Sequence, residues 1–423
     1  GGVGDSSANP ANPNATPTNP RSDDEAYTLK NRIKTTDKVI RVDTANPSDD
    51  DNILFAWFDI STDAEVNADT DGDGLLDSWE RYGYDHDGDG KIDVNLPRLG
   101  AKYKKKDIFI AYAWMNASGS ETKSHAPSSA VLSAIKTAFA TAPVSNPDGT
   151  KGINVHFTNK GGVPHDDDLA PVWDEFDAIM NPKVSEAERK IYHRLLCAHG
   201  YEGDSSSGLS RGIPASDFIE SLGRWPSNPG TYKERAGTIM HELGHNLGLR
   251  HGGVDHENYK PNHLSIMSYF NQVAWVQNRT GAKLDYERFN LKSLSENNLN
   301  ETKGLDRLGG DTPIASYGAR WYAGGVTQSK ASSADKNDDW NGNGIATEPA
   351  VAVDLNKSGA KSVLNAGFIE WNNLIFDGGD IGVGGGALAK ANQITSPQDL
   401  IELTYEEYLN NLADPIKQLV DPD

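Results

Sequence analysis

Residues His241, Glu242, His245, Gly248 and His251 fall in the pattern His-Glu-x-x-His-x-x-Gly-x-x-His. Side chains four apart stack on one helical face, so His241 and His245 can present two imidazoles to one metal ion. Glu242 sits beside them, placed to take a proton from a water that the metal activates. Gly248, having no Cβ, lets the chain turn sharply out of the helix and brings His251 back as a third ligand. Three neutral imidazoles leave one coordination position open, which is the make-up of a catalytic zinc site; structural sites close with four protein ligands.

A second chemistry is written in acidic loops. Asp69-Thr-Asp71-Gly-Asp73-Gly74-Leu75-Leu-Asp77-Ser-Trp-Glu80 fits the EF-hand pattern. Asp69, Asp71, Asp73 and Asp77 offer side-chain oxygens, Leu75 a carbonyl, and Glu80 a bidentate closure, while Gly74 permits the turn. Asp85, Asp87, Asp89, Lys91 (by its carbonyl) and Asp93 repeat the first half, with Leu96 where the closing Glu belongs. A third loop, of the D-x-N-x-N-G kind, offers Asp339, Asn341, Asn343, Ile345 (by its carbonyl) and Glu348. All three read as structural calcium sites.

These groups need a frame. The apolar stripe Ala236, Ile239, Met240, Leu243 and Leu247 predicts a buried helix starting near Tyr232, with its histidines on the cleft side. Asp107 to Met115 reads as a buried strand, Pro127 to Ala142 as an amphipathic helix, Ile153 to Phe157 as a strand, and Arg189 to Ala198 and Pro214 to Leu222 as two more. Pro397 to Leu412 reads as a closing helix with Asp399 and Glu402 in its first turn. His165, next to Asp166, Asp167 and Asp168, reads as part of a polar loop, and Cys197 as an inert core thiol.

Downstream of the histidines runs Leu264-Ser265-Ile266-Met267-Ser268-Tyr269. A long histidine motif followed by a Met-containing turn resembles the metzincin clan of zinc endopeptidases. The resemblance covers about Thr231 to Phe270, and Gly252 after the third histidine leaves the subfamily unassigned. It implies an α+β fold: a mixed twisted sheet with an active-site helix, the Met-turn and a C-terminal subdomain. It further implies zinc on His241, His245 and His251, Glu242 as general base, and Met267 as the floor beneath the metal. Tyr269 would either stabilise the oxyanion or pack. In such enzymes an edge strand pairs antiparallel with the substrate, and Ala215, Ser216, Asp217, Phe218 and Ile219 are its candidates, with Gly208 to Gly212 as the adjoining loop. The expected activity is hydrolysis of protein or peptide substrates. The rival is a calcium-dependent surface-binding or adhesion protein on a catalytically silent scaffold.

The organisation read from composition is a Pro- and Asn-rich tether over 1–36, a small module or prosegment over 37–62, tandem calcium loops over 63–97, and the peptidase-like domain over 98–423, divided near 251. An acidic residue among Asp49 to Asp51 could cover the open metal position of a zymogen. The net charge of -21 and pI near 4.9 exclude a nucleic-acid partner, which needs a basic face. No run of apolar residues is long enough to span a membrane. The chain reads as a monomer of bacterial secreted type, extracellular or held at the cell surface by a lipid anchor upstream of Gly1.

Overall fold

The computed structural model describes residues 68–119, 121–306, 314–365, 367–382 and 401–411, which belong to one compact unit, Glu65–Asp423. The tether, the small module and Asp49 to Asp51 lie outside the described residues. The fold is mixed, with helices on a parallel-rich sheet. No helix among the described residues is long and apolar enough to cross a membrane.

Five strands, β1 (Asp107–Met115), β2 (Asn154–Val163), β3 (Tyr192–Cys197), β4 (Gly208–Ser210) and β5 (Asp217–Glu220), form a sheet in the order β2-β1-β3-β5-β4. The pairs β1/β2, β1/β3 and β3/β5 are parallel, and β4 runs antiparallel to β5. Alternation along β1 sends Ile108, Ile110 and Tyr112 to one core and Phe109, Ala111, Ala113 and Met115 to the other, as a sheet covered on both faces requires. The first core is closed by helices Ser129–Ala140 and Tyr232–Asn246, the second by Val172–Met180. Among the described residues the helices are, in chain order, α1 (Asp77–Tyr82), α2 (Leu96–Leu99), α3 (Ser129–Ala140), α4 (Val172–Met180), α5 (Glu186–Arg189), α6 (Tyr232–Asn246) and α7 (Tyr405–Asn411). Past α6 the described residues hold little regular structure: two two-stranded pairings, short 3-10 turns and α7.

Helix α6 begins with a capping box in which Thr231 and Glu234 satisfy each other's backbone amides. Its residues from Glu234 to Asn246 are buried. Arg235, near its start, makes a buried ion pair with Glu220 of β5 at 2.6 Å and donates to the carbonyls of His125 and Ala126. Gly248 leaves the helix at φ 87°, the left-handed turn expected of it.

His193 in β3 is buried against Asn246, and burial pushes its pKa down to about 4. Below about pH 6.5 the unfolded chain takes a proton that the folded chain refuses. This contribution to stability is therefore intact above about pH 6.5 and falls as the pH drops towards 4, by at most about 3 kcal/mol. Urea midpoints measured at about pH 7 and about pH 4.5 should fall further for the parent than for His193→Gln.

Candidate functional site

Two carbonyls orient the first two imidazoles. His241 Nδ1 donates to the Ile266 carbonyl (2.8 Å) and His245 Nδ1 to that of Leu249 (2.9 Å), which turns each Nε2 lone pair inward. The His245 Nε2 lies 3.1 Å from His241 Nε2 and 3.0 Å from His251 Nε2. A tetrahedral ion with bonds of about 2.0–2.1 Å would hold its ligands roughly 3.3 Å apart, close to this spacing. Burial lowers the pKa of His241 and brings that of His251 to about 3, so both are neutral, as metal ligands must be.

A fourth group completes the set. Glu402 Oε2 lies 3.2 Å from His241 Nε2 and 3.6 Å from His251 Nε2, and its Oε1 lies 3.4 Å from His245 Nε2. Neither oxygen meets a hydrogen-bond donor in good geometry, although the residue is buried. Three imidazole nitrogens and a carboxylate thus face one point, an arrangement that a cation satisfies. Burial pushes the Glu402 carboxyl up, and the facing imidazoles together hold it well below the usual value. Three nitrogens and one oxygen suit zinc.

Glu402 was placed in the first turn of a helix by its sequence. The structure instead starts α7 at Tyr405 and leaves Glu402 in an extended segment. This segment lies on the sheet's edge: Thr404 forms an antiparallel bridge with Ser206, and the Ser207 amide donates to the Leu403 carbonyl at 2.9 Å. Leu403 is buried among Leu222, Trp225, Tyr259, Tyr269, Phe270 and Val273, and Tyr408 stacks on Trp225. Tyr269 packs its ring against His251 and donates its hydroxyl to the Ile401 carbonyl.

The edge itself corrects the sequence reading. Asp217, Phe218 and Ile219 belong to β5, an inner strand between β3 and β4, and Ala215 and Ser216 lead into it. The edge is β4, drawn from what read as a loop, because only three of its residues pair. Glu242, on the helical turn between the histidines, is buried, and neither oxygen has a hydrogen-bond partner in good geometry. Burial, then the Glu402 charge, push its pKa well up. A Cβ on Gly208 would stand 2.6 Å from Glu242 Oε1, so the edge strand passes directly over this carboxylate. Met267 lies under the helix, its sulfur 2.4 Å from where a Cβ on Gly244 would be.

The acidic loops share one construction. Each opens with an Asp whose carboxylate accepts amides further along the loop: Asp69 from Gly72 and Gly74, Asp85 from Gly88 and Gly90, Asp339 from Asn343 and Gly344. A fourth loop, Asp354 to Gly359, repeats this with Ser358 and Gly359. At Leu75, Lys91 and Ile345 the amide bonds back to Asp73, Asp89 and Asn343.

In the first loop Asp69, Asp71 and Asp73 converge, and Asp73 and Glu80 meet Asp107 from the start of β1. Asp77 departs from expectation: its carboxylate is taken by Thr70 (2.8 and 2.7 Å) and Arg81. Both oxygens of Asp71 and of Glu80 are buried without partners. Burial and neighbouring carboxylates raise Asp71 to about 7 and Glu80 to about 10, a conflict that a divalent cation relieves. In the second loop Asp85, Asp87 and Asp93 come together, while Asp89 is drawn to Lys91 at 2.6 Å. In the third, Glu348 accepts from the Asn341 and Asn343 amides.

A further group was not anticipated. His165, read as part of a polar loop, gathers with Glu121, His125 and His199. No protein-family model matches the chain, and no curated protein matches it.

Proposed function

We propose that the chain is a zinc-dependent endopeptidase of metzincin type, stabilised by calcium and held inactive by its own C-terminal segment. The observation that carries the reading is the convergence of the His241, His245 and His251 Nε2 atoms within about one ion's reach. A zinc ion bound there would polarise the scissile carbonyl and make water a nucleophile near neutral pH. Glu242 then takes the proton from that water and returns it to the leaving amine. The β4 edge offers its backbone to an extended peptide, continuing the line of Ser206 and Ser207, which bond to Thr404 and Leu403. Tyr269, once freed from Ile401, has a hydroxyl to direct at the developing oxyanion.

Glu402 explains why such a site would be silent: it fills the coordination position that water needs. The same observation favours a second reading, a calcium-dependent surface-binding protein whose metal is closed by four protein ligands. Cleavage of an unbiased peptide mixture, read by mass spectrometry, separates the two. Cuts made by Glu402→Ala and lost when Glu242 is also replaced support the peptidase. A zinc-loaded Glu402→Ala protein that makes no cuts sinks it.

For calcium, the unpartnered oxygens of Asp71 and Glu80 support the first loop most directly. At calcium about a hundredfold above its dissociation constant, one site contributes about 2.7 kcal/mol. Chelation should therefore lower the melting temperature by several degrees, and Glu80→Gln should lose most of that response. An unchanged melting temperature in chelator would refute the structural role. The function also implies action outside the cell, in secreted or surface-held form.

A further inference from the structure

We propose that Glu121, His125, His165 and His199 hold a second divalent transition-metal ion of the zinc class. The three parallel strands β1, β2 and β3 end on one side of the sheet, and chain leaving those ends supplies the four groups. His165 comes two residues after β2, His199 two residues after β3, and Glu121 and His125 lie in the connection from β1 to α3. The His125 amide bonds back to the Met115 carbonyl at 2.9 Å, which returns that connection to the end of its own strand.

One ligand atom from each residue lies within 4.8 Å of the others. The imidazole centres stand 5.0 to 5.7 Å apart around the Glu121 carboxylate. Glu121 Oε1 is 2.9 Å from His199 Nδ1 and 3.4 Å from His125 Nε2, and Oε2 is 3.3 Å from His165 Nδ1. Asn228 and the Ser118 amide donate to the same carboxylate and fix its plane. Asp167 takes the His165 Nε2 at 2.8 Å, leaving Nδ1 toward Glu121 and the Asn116 carbonyl.

Hydrogen bonding within the group does not account for His125. Its side chain is 1% exposed, it points at Glu121, and its Nε2 has no hydrogen-bond partner. A buried imidazole nitrogen left so costs on the order of 1–3 kcal/mol, which a metal bond removes. Three imidazoles and a carboxylate form a nitrogen-rich, closed set, suited to zinc and unsuited to calcium, which takes oxygen ligands. Its role is structural: it staples the 116–128 connection to the sheet's end. This site is independent of the peptidase reading.

The test counts metal in the full chain, loaded with zinc in excess calcium and dialysed. The parent should carry two zinc ions and His125→Ala one; the double variant His241→Ala, His245→Ala should also keep one. Should His125→Ala fail to fold, His165→Ala gives the same reading. A double variant holding no ion, or a folded second-site variant holding as many ions as the parent, would overturn the assignment. A Glu402→Ala protein that holds both ions and cleaves no peptide would instead count against the proposed function alone.

Discussion

Glu402→Ala should convert a nearly silent protein into an active one, with peptide cleavage rising about a hundredfold or more. Removing one partner from a buried, mutually dependent charged set costs about 3–5 kcal/mol, and each 1.4 kcal/mol shifts an equilibrium tenfold. The remaining contacts of the segment, Leu403 in its apolar pocket and the two backbone links to Ser206 and Ser207, would no longer include a bond to the metal. Zinc content and melting temperature, measured beside activity, distinguish release of the site from general loosening. If a folded, zinc-loaded Glu402→Ala protein stays as inert as the parent, the segment is no inhibitor.

The second large effect concerns Glu242. In the Glu402→Ala background, Glu242→Gln should lower kcat by about 10²–10⁴-fold, the usual share of a general base, with KM and zinc content little changed. The amide has the shape of the carboxylate and cannot carry the proton. Because Glu242 is buried without hydrogen bonds, the variant should be at least as stable as its parent, the mark of a group held for chemistry at a cost to folding. Retention of full kcat would remove Glu242 from the mechanism.

What the sequence made legible was local. The three histidines that converge sit within one helical turn and its exit, so spacing and one glycine specify them, and β1 matched its reading from Asp107 to Met115 because a continuous apolar run must lie inside a sheet. The loop-opening aspartates were visible for the same reason, since each bonds to amides only a few residues ahead. The missing pieces are tertiary. Glu402 reaches His241 across 161 positions, and nothing in Ile401-Glu402-Leu403 distinguishes it from an ordinary helix start. Strand β4 is three residues long and pairs with β5, so its periodicity was too short to read. His165 and His199 each follow a parallel strand by two residues, a signal that becomes useful only once those strands are known to be neighbours of β1. Asp107 joined the first acidic loop for a similar reason: it is a strand residue whose carboxylate points back at the chain before it.

The direction of the C-terminal segment has a chemical consequence. It runs antiparallel to the sheet's edge, the course expected of a substrate, yet it offers the three imidazoles a side-chain carboxylate in place of a peptide carbonyl. A carboxylate is what peptide hydrolysis leaves behind. On the proposed reading, the Glu402 side chain therefore stands where the carboxylate of a cleaved product would be held. Latency of this kind would be product inhibition made intramolecular.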